Sequence, residues 1–339
     1  MSEPLDALLH PFAKSLLTPP APGRGFLLRA RWGAGLHDIW RQGLVCLQSF
    51  KPDHDLLAQA GFTMVDRLSN EKFDLGLCLL TKHKAENLAN IARAWAAVKP
   101  GGLIVCAGRV DTGAASVARQ VEESVASVEM IAKYHCKVFW LERGGGSPAA
   151  LAAWAAAGSQ RCVPKTGFYA QPGLYSWDKI DRGSALLADN LPTDLGGRIA
   201  DLGAGWGYLS AEVLRCCPSV SSLDLFEAED LALAAARRNL DPIVGTTTVS
   251  YRWHDVRNGI GTKYFDAIIM NPPFHEGKDA DASLGQRFIA AAADGLVLGG
   301  RLIMVANRQL PYELVLKRAF RRFHVVAETG LYKVIEAIR

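Results

Sequence analysis

The sequence predicts an α/β fold of two tandem domains, each a parallel sheet covered by helices. Three observations predict it. The chain has 339 residues, enough for two domains at roughly 100–200 residues each. Short β-like apolar runs alternate with helical stretches rich in Ala and Leu, the rhythm of βαβ units. Part of that rhythm also occurs twice. Phe73-Asp74 opens an apolar strand, a helix follows, and Gly101-Gly102 leads into LIVCAGR; Phe265-Asp266 opens AIIM, a helix follows, and Gly299-Gly300 leads into RLIMVANR. The Phe-to-Gly spacing is 28 residues in one copy and 34 in the other, which reads as a duplicated strand-helix-strand unit with a six-residue insertion in the second copy.

In chain order, the predicted strands are GFLLRA, GLVCLQ, FDLGLCLL and GLIVCAG in the first half, then RIADLG, SSLDLFE, FDAIIMN and RLIMVAN in the second. Each is a short apolar run, as expected of strands in a parallel sheet covered on both faces. Helices are predicted at 85–98, 208–217, 228–240 and 284–296. Around 144–166 the rhythm breaks into GGGSP, an Ala-rich segment and GSQRCVPKTG. Gly, Ser and Pro at that density mark a domain junction carrying a short linker helix, so the domains are placed at 1–160 and 161–339.

Composition narrows the functional classes. Apolar residues make up 49% and charged residues 21%, a globular balance rather than a disordered one. No apolar run approaches the ~20 residues of a membrane span, and MSEPLDALLHPF lacks the basic flank and apolar stretch of a signal peptide. The expectation is a soluble cytoplasmic protein with no membrane partner. Seven cysteines without a C-x-x-C pair and eight dispersed histidines argue against a disulfide framework and a metal site. Nothing in the sequence speaks to oligomeric state. Residues 1–165 carry 19 Lys and Arg against 14 Asp and Glu, net +5, and the remainder 19 against 20. The basic excess lies in the first half, and a polyanion is one partner that such an excess suits.

The strongest local signal is Asp201-Leu-Gly203-Ala204-Gly205-Trp-Gly207, placed between an apolar strand and a helix. Alternate glycines permit a tight strand-to-helix turn and close approach of backbone to a nucleoside. Glu227 ends the next strand, 20 residues beyond Gly207, where a carboxylate can accept both hydroxyls of a ribose. Asp255 closes the following apolar stretch. Ends of consecutive parallel strands face one crevice, so Asp201, Glu227 and Asp255 are expected to line one nucleoside site. A dinucleotide fingerprint would read G-x-G-x-x-G to seat a pyrophosphate on a helix N-terminus. Here the third Gly comes one residue too early, and no G-K-[ST] loop exists. The pattern suits a nucleoside cofactor without phosphates.

Asn271-Pro272-Pro273-Phe274 ends the strand FDAIIM. Two prolines fix the backbone and remove two N–H donors, leaving carbonyls that only accept. The Asn oxygen and the Pro272 carbonyl can together take both hydrogens of a planar –NH₂ group, and Phe274 offers a face on which an unpaired base stacks. The stretch 275–283 reads equally as a closing loop and as an idle surface loop. His254 and His275 read as solvated or supporting groups.

DLGAGWG, the acidic residue after the next strand, and NPPF resemble motifs I, II and IV of S-adenosylmethionine-dependent methyltransferases that act on amino nitrogens. The wider chain resembles the ribosomal RNA guanine-N2 methyltransferases of the small subunit methyltransferase C type, through PGLYSWDKIDRGSALLADNL before motif I, NPPFH, VANRQLPY and the closing TGLYKVIEAI. The likeness is close over about 165–339 and weaker over 1–160. It implies two tandem Rossmann-like methyltransferase domains, the N-terminal one degenerate, with S-adenosylmethionine as cofactor and ribosomal RNA or a ribosomal subunit as partner. The first half fits a degenerate copy on its own residues: its Gly33-Ala-Gly35 lacks a preceding Asp, and Leu79-Leu80-Thr81-Lys82 stand where the second copy has Asn271-Pro-Pro-Phe. That half is expected to bind RNA or act as scaffold. Other readings remain open at this point: a planar amino group elsewhere (large-subunit RNA guanine, adenine N6, protein glutamine), or a non-catalytic RNA-binding assembly factor.

Overall fold

The structure, a computed structural model, describes residues 3–273 and 282–339. Phe274, His275 and most of the predicted loop lie outside the described residues. The chain divides into two units, 1–160 with 171–173, and 161–170 with 174–339.

The first unit holds strands β1 (Gly25–Leu28), β2 (Leu44–Leu47), β3 (Thr63–Met64), β4 (Phe73–Leu79), β5 (Val98–Arg109), β6 (Glu129–Lys133) and β7 (Cys136–Glu142), with helices α1 (Glu3–Ala13), α2 (Asp38–Gly43), α3 (Lys51–Gln59), α4 (Lys84–Ala97), α5 (Ala114–Ser124) and α6 (Ala149–Ala157). A short hairpin, β8 (Arg161–Cys162) and β9 (Tyr169–Ala170), begins the second unit. That unit continues with α7 (Arg182–Ala188), β10 (Gly196–Leu202), α8 (Tyr208–Cys216), β11 (Ser219–Glu227), α9 (Asp230–Leu240), β12 (Thr248–Trp253), β13 (Phe265–Met270), α10 (Ala282–Gly295), β14 (Leu296–Asn307), α11 (Glu313–Ala319), β15 (Arg322–Glu328) and β16 (Tyr332–Ile338).

Both sheets have seven strands in the same order, β3-β2-β1-β4-β5-β7-β6 and β12-β11-β10-β13-β14-β16-β15. The first five strands in each order pair in parallel, and the last two are antiparallel. These are two tandem Rossmann-like domains. Strand order reverses at β1/β4 and at β10/β13, so each sheet opens a crevice at the carboxyl ends of those strands.

Alternation along the central strands builds two apolar layers per sheet. In the second unit Ile199, Leu223, Leu225 and Ile269 pack with Leu209 and Val213 of α8 and Leu233 and Ala236 of α9. On the other face Ala200, Leu202, Ile268 and Met270 pack with Ile289 and Ala292 of α10. Burial on both sides explains why β13 reads as an unbroken apolar run.

The repeat seen in sequence has a structural counterpart at the amino ends of the strands. Asp74 in β4 pairs with Arg24 at 3.0 Å, and Asp266 in β13 accepts from the backbone N–H of Arg198 in β10 at 2.8 Å.

Candidate active site

The glycine loop leaves β10 and runs into α8. Gly203, Gly205 and Gly207 have φ of +72°, +56° and +87°, the left-handed region in which an L side chain crowds the following carbonyl. Their reasons then diverge. A Cβ on Gly207 would stand 3.1 Å from the Ala236 Cβ, so this glycine lets the loop seat on α9. On Gly205 nothing lies within 4 Å of that point, which leaves its backbone open to a ligand. Ala204 is buried. The Gly203 and Ala204 N–H groups both donate to the Phe226 carbonyl, at 2.8 and 3.2 Å, and Asn239 of α9 donates to the Trp206 carbonyl at 2.8 Å. The loop is thus held in place from behind. Its geometry suits a nucleoside cofactor, with exposed backbone toward the crevice and no phosphate-cradling turn.

The three strand-end acids do different things. Glu227 takes the Gly205 N–H on one oxygen at 2.8 Å and the Glu229 N–H on the other at 2.9 Å, so it joins the glycine loop to the next strand end. Burial pushes its carboxyl up, against the pull of those backbone bonds. Asp201 is fully buried behind the loop, where its Oδ2 accepts from Ser210 of α8 at 2.7 Å. Burial pushes this carboxyl up to about 7, opposed by the Ser210 bond and reinforced by the charge of Glu227. Its place is under the loop and not on the open crevice expected from the strand-end argument. Asp255 accepts from the backbone and side chain of Arg257. Burial raises its carboxyl, but the bonds and charge of Arg257 outweigh it and hold the group below the ordinary range.

Asn271 and Pro272 leave β13 beside the loop, because Leu202 pairs with Met270 across the two strands. Register therefore brings the two motifs to the same level. Pro272 is buried and Pro273 exposed. The amide of Asn271 donates both hydrogens within its own unit, to Asp181 Oδ2 at 2.9 Å and to Ser184 Oγ at 2.8 Å. Asp181 is the N-cap of α7, accepting from the Ser184 N–H at 2.8 Å, and its second oxygen accepts from the Tyr175 hydroxyl at 2.9 Å. One crevice is lined by Tyr175, Asp181, Ser184, Asn271 and the loop from Gly203 to Trp206. Tyr175, Asp181 and Ser184 were not among the candidate residues. The available signal was Asp181-x-x-Ser184, a helix-capping pattern, but nothing local pointed it at Asn271.

The first unit differs at the matching places. Gly33 and Gly35 are not left-handed; they make room for Leu5 and Leu9 of α1. Its crevice, of about 370 Å³, holds Arg29 paired with Glu86 at 3.3 Å, and Thr81 donating to Glu86 at 2.7 Å. Among the described residues no group of three His, Cys, Asp or Glu side chains is placed to hold a metal, and no helix is long and apolar enough to cross a membrane.

Comparison with known proteins agrees with this architecture. The model of the methyltransferase small domain matches residues 165–336. The ribosomal RNA small subunit methyltransferase C of Psychromonas ingrahamii is 30% identical over 290 residues, 84% of this chain and 81% of that one. Its counterpart from Shewanella baltica is 31% identical over 287 residues, 83% of this chain and 79% of that one. Among solved structures, a 16S rRNA guanine-N2 methyltransferase of T. thermophilus in complex with AdoMet and guanosine superposes with a TM-score of 0.79 at 22% identity, covering 94% of this chain and 88% of that one. The chain belongs to the ribosomal RNA small subunit methyltransferase C family.

Proposed function

We propose that the second unit transfers a methyl group from S-adenosylmethionine to the exocyclic N2 of a guanine in small-subunit ribosomal RNA. The observation that carries the reading is the convergence, at the carboxyl ends of paired strands β10 and β13, of an open left-handed glycine loop with Asn271-Pro272. The names of the family's relatives supply the substrate class.

In this reading Gly203 and Gly205, whose N–H groups are held by Phe226 and Glu227, offer the cofactor their carbonyls and a close approach, with Ala204 buried between them and Gly207 closing the turn. Glu227 takes the ribose hydroxyls on lone pairs left over from its two backbone bonds. Asp255 borders the adenine side, and Asp201 supports the loop from below. S-adenosylmethionine, when bound there, would supply a methyl group activated by its sulfonium for attack by the base nitrogen. An aromatic amine is a poor nucleophile because its lone pair is delocalised into the ring. Asn271 Oδ1 and the Pro272 carbonyl accept its two hydrogens, draw the nitrogen toward tetrahedral geometry and stabilise the positive charge that develops there until one of the two protons is released to solvent. Pro273 fixes the turn, and Phe274 is assigned to stack the unpaired base.

The first unit is assigned to RNA binding and scaffolding. Within that unit Arg24, Arg29, Arg31 and Arg41 each pair with a carboxylate. Exposed Lys82 and Lys84 remain the best placed.

The test is transfer of labelled methyl into isolated small subunits, naked RNA, DNA and protein, followed by mass mapping of the modified nucleotide. Label on a guanine N2 of small-subunit RNA is expected; label on adenine, protein or nothing overturns the reading. Asn271→Ala should lower turnover on the order of a hundredfold at unchanged cofactor affinity, whereas Glu227→Ala should weaken cofactor binding itself.

A further inference from the structure

We propose that Asp181 and Ser184 are positioning residues for the transfer step. They fix the Asn271 amide with its oxygen toward the substrate, and the Asp181 carboxylate raises the basicity of that oxygen. This rests on the reading of Asn271 given above.

An Asn side chain has two nearly isosteric ends, one that only accepts and one that only donates. A crevice that must receive the hydrogens of an amino group needs the accepting end outward, and a freely flipping amide presents it only part of the time. Here both Nδ2 hydrogens are committed, one to Asp181 at 2.9 Å and one to Ser184 at 2.8 Å. Oδ1 has no hydrogen-bond donor among the described residues. The flipped rotamer would set Oδ1 against a carboxylate, oxygen to oxygen.

Asp181 is itself fixed in place. The Ser184 N–H holds Oδ2 and the Tyr175 hydroxyl holds Oδ1. Gly183 keeps the approach clear, since a Cβ there would lie 3.1 Å from Asp181 Oδ2 and 3.2 Å from the Tyr332 ring. A carboxylate bonded to the donor end of an amide pulls electron density toward the oxygen at the other end, as linked hydrogen bonds polarise one another. The substrate nitrogen becomes cationic as the N–C bond forms, so the negative charge of Asp181 acts on it through the neutral amide. Charge developed only in the transition state is what raises kcat.

Asp181→Asn is the informative variant, because Asn keeps an accepting oxygen for the Ser184 N–H and is an equally good N-cap, while the charge and the single permitted orientation are lost. It should lower kcat by about tenfold or more, with the cofactor Kd and the RNA KM within about twofold. Ser184→Ala should lower kcat by a smaller factor, and Ser184→Thr, which restores the hydroxyl, should recover most of that loss. The decisive measurement is the double-mutant cycle. In an Asn271→Ala background, Asp181→Asn should cost nothing more. A wild-type kcat for Asp181→Asn, or an equal loss in both backgrounds, overturns the positioning role while leaving the Asn271 reading intact. Full turnover by Asn271→Ala alone would instead overturn that underlying reading, and this inference with it.

Discussion

Raising the pH from about 4 to about 7 should destabilise the second unit through one buried group. Asp201 is fully buried beneath the glycine loop, with one side-chain hydrogen bond, from Ser210. Burial pushes its carboxyl from the ordinary 3.8 up to about 7. An acid whose pKa is higher in the folded state than in the unfolded state holds its proton more tightly when folded. Its stabilising contribution is therefore whole below about pH 4 and is gone above about pH 7. Each unit of displacement is worth about 1.4 kcal/mol, so the loss accumulates at that slope across roughly three units and reaches about 4 kcal/mol. Asp201→Asn removes the titration while keeping size and polarity. Urea unfolding of both proteins at pH 4.5, 6 and 7.5 isolates Asp201 and its coupling to Glu227, because the carboxylates away from them titrate alike in both. The stability of the variant relative to the wild type should rise steadily with pH. Parallel profiles would show that Asp201 ionises at its ordinary pKa, and the argument from burial would be wrong.

The glycine loop offers a contrasting pair of substitutions. Gly207→Ala places a methyl 3.1 Å from the Ala236 Cβ at a φ of +87°, and the backbone and packing costs together should lower stability by about 2–4 kcal/mol in thermal or urea unfolding. Gly205→Ala meets nothing within 4 Å; it should cost only about 1–2 kcal/mol of stability and should show in calorimetry as a larger proportional loss of cofactor affinity. In the first unit, charge reversal of Lys82 and Lys84 should weaken RNA binding and flatten the log-log salt dependence by about 0.7–0.9 per lost phosphate contact, with melting temperature and cofactor affinity unchanged. An unaltered RNA affinity would leave that unit as scaffold alone.

The central strands were legible because burial on both faces turns each into a bounded apolar run. FDLGLCLL corresponds to β4 and FDAIIMN to β13, within one residue. The predicted helices at 208–217 and 228–240 correspond to α8 and α9 within two residues. The edge strands β6 and β15 were not legible, since EMIAK and RFHVVAE are largely exposed and lack that run. At the site, Gly203, Gly205 and Gly207 could be read because a left-handed backbone leaves a local trace in residue type. Asp181 could not, because its partner Asn271 stands 90 positions away and the capping pattern explains the residue without it. The same limit hid the pairing of Arg24 with Asp74, 50 positions apart. Charge counted along the chain says nothing about which carboxylates fold back onto it.

Comparison of the two units shows why one copy can lose its site and keep its fold. The pairs Arg24–Asp74 and Arg198–Asp266 sit at the amino ends of adjacent strands, where they join β1 to β4 and β10 to β13 in the same way. The differences gather at the carboxyl ends. There the first unit has Arg29 paired with Glu86 and glycines packed on α1, and the second has three left-handed glycines and an oriented Asn271. Apolar layers on both faces of each sheet hold the strands together, and none of those contacts requires the loop to bind anything. A loop substitution in either unit is therefore expected to leave the sheet intact, and on the function proposed above only a change in the second would disturb the crevice assigned to Asn271. The two sheets share one strand order, and on the function proposed above the carboxyl-end loops set which copy carries chemistry.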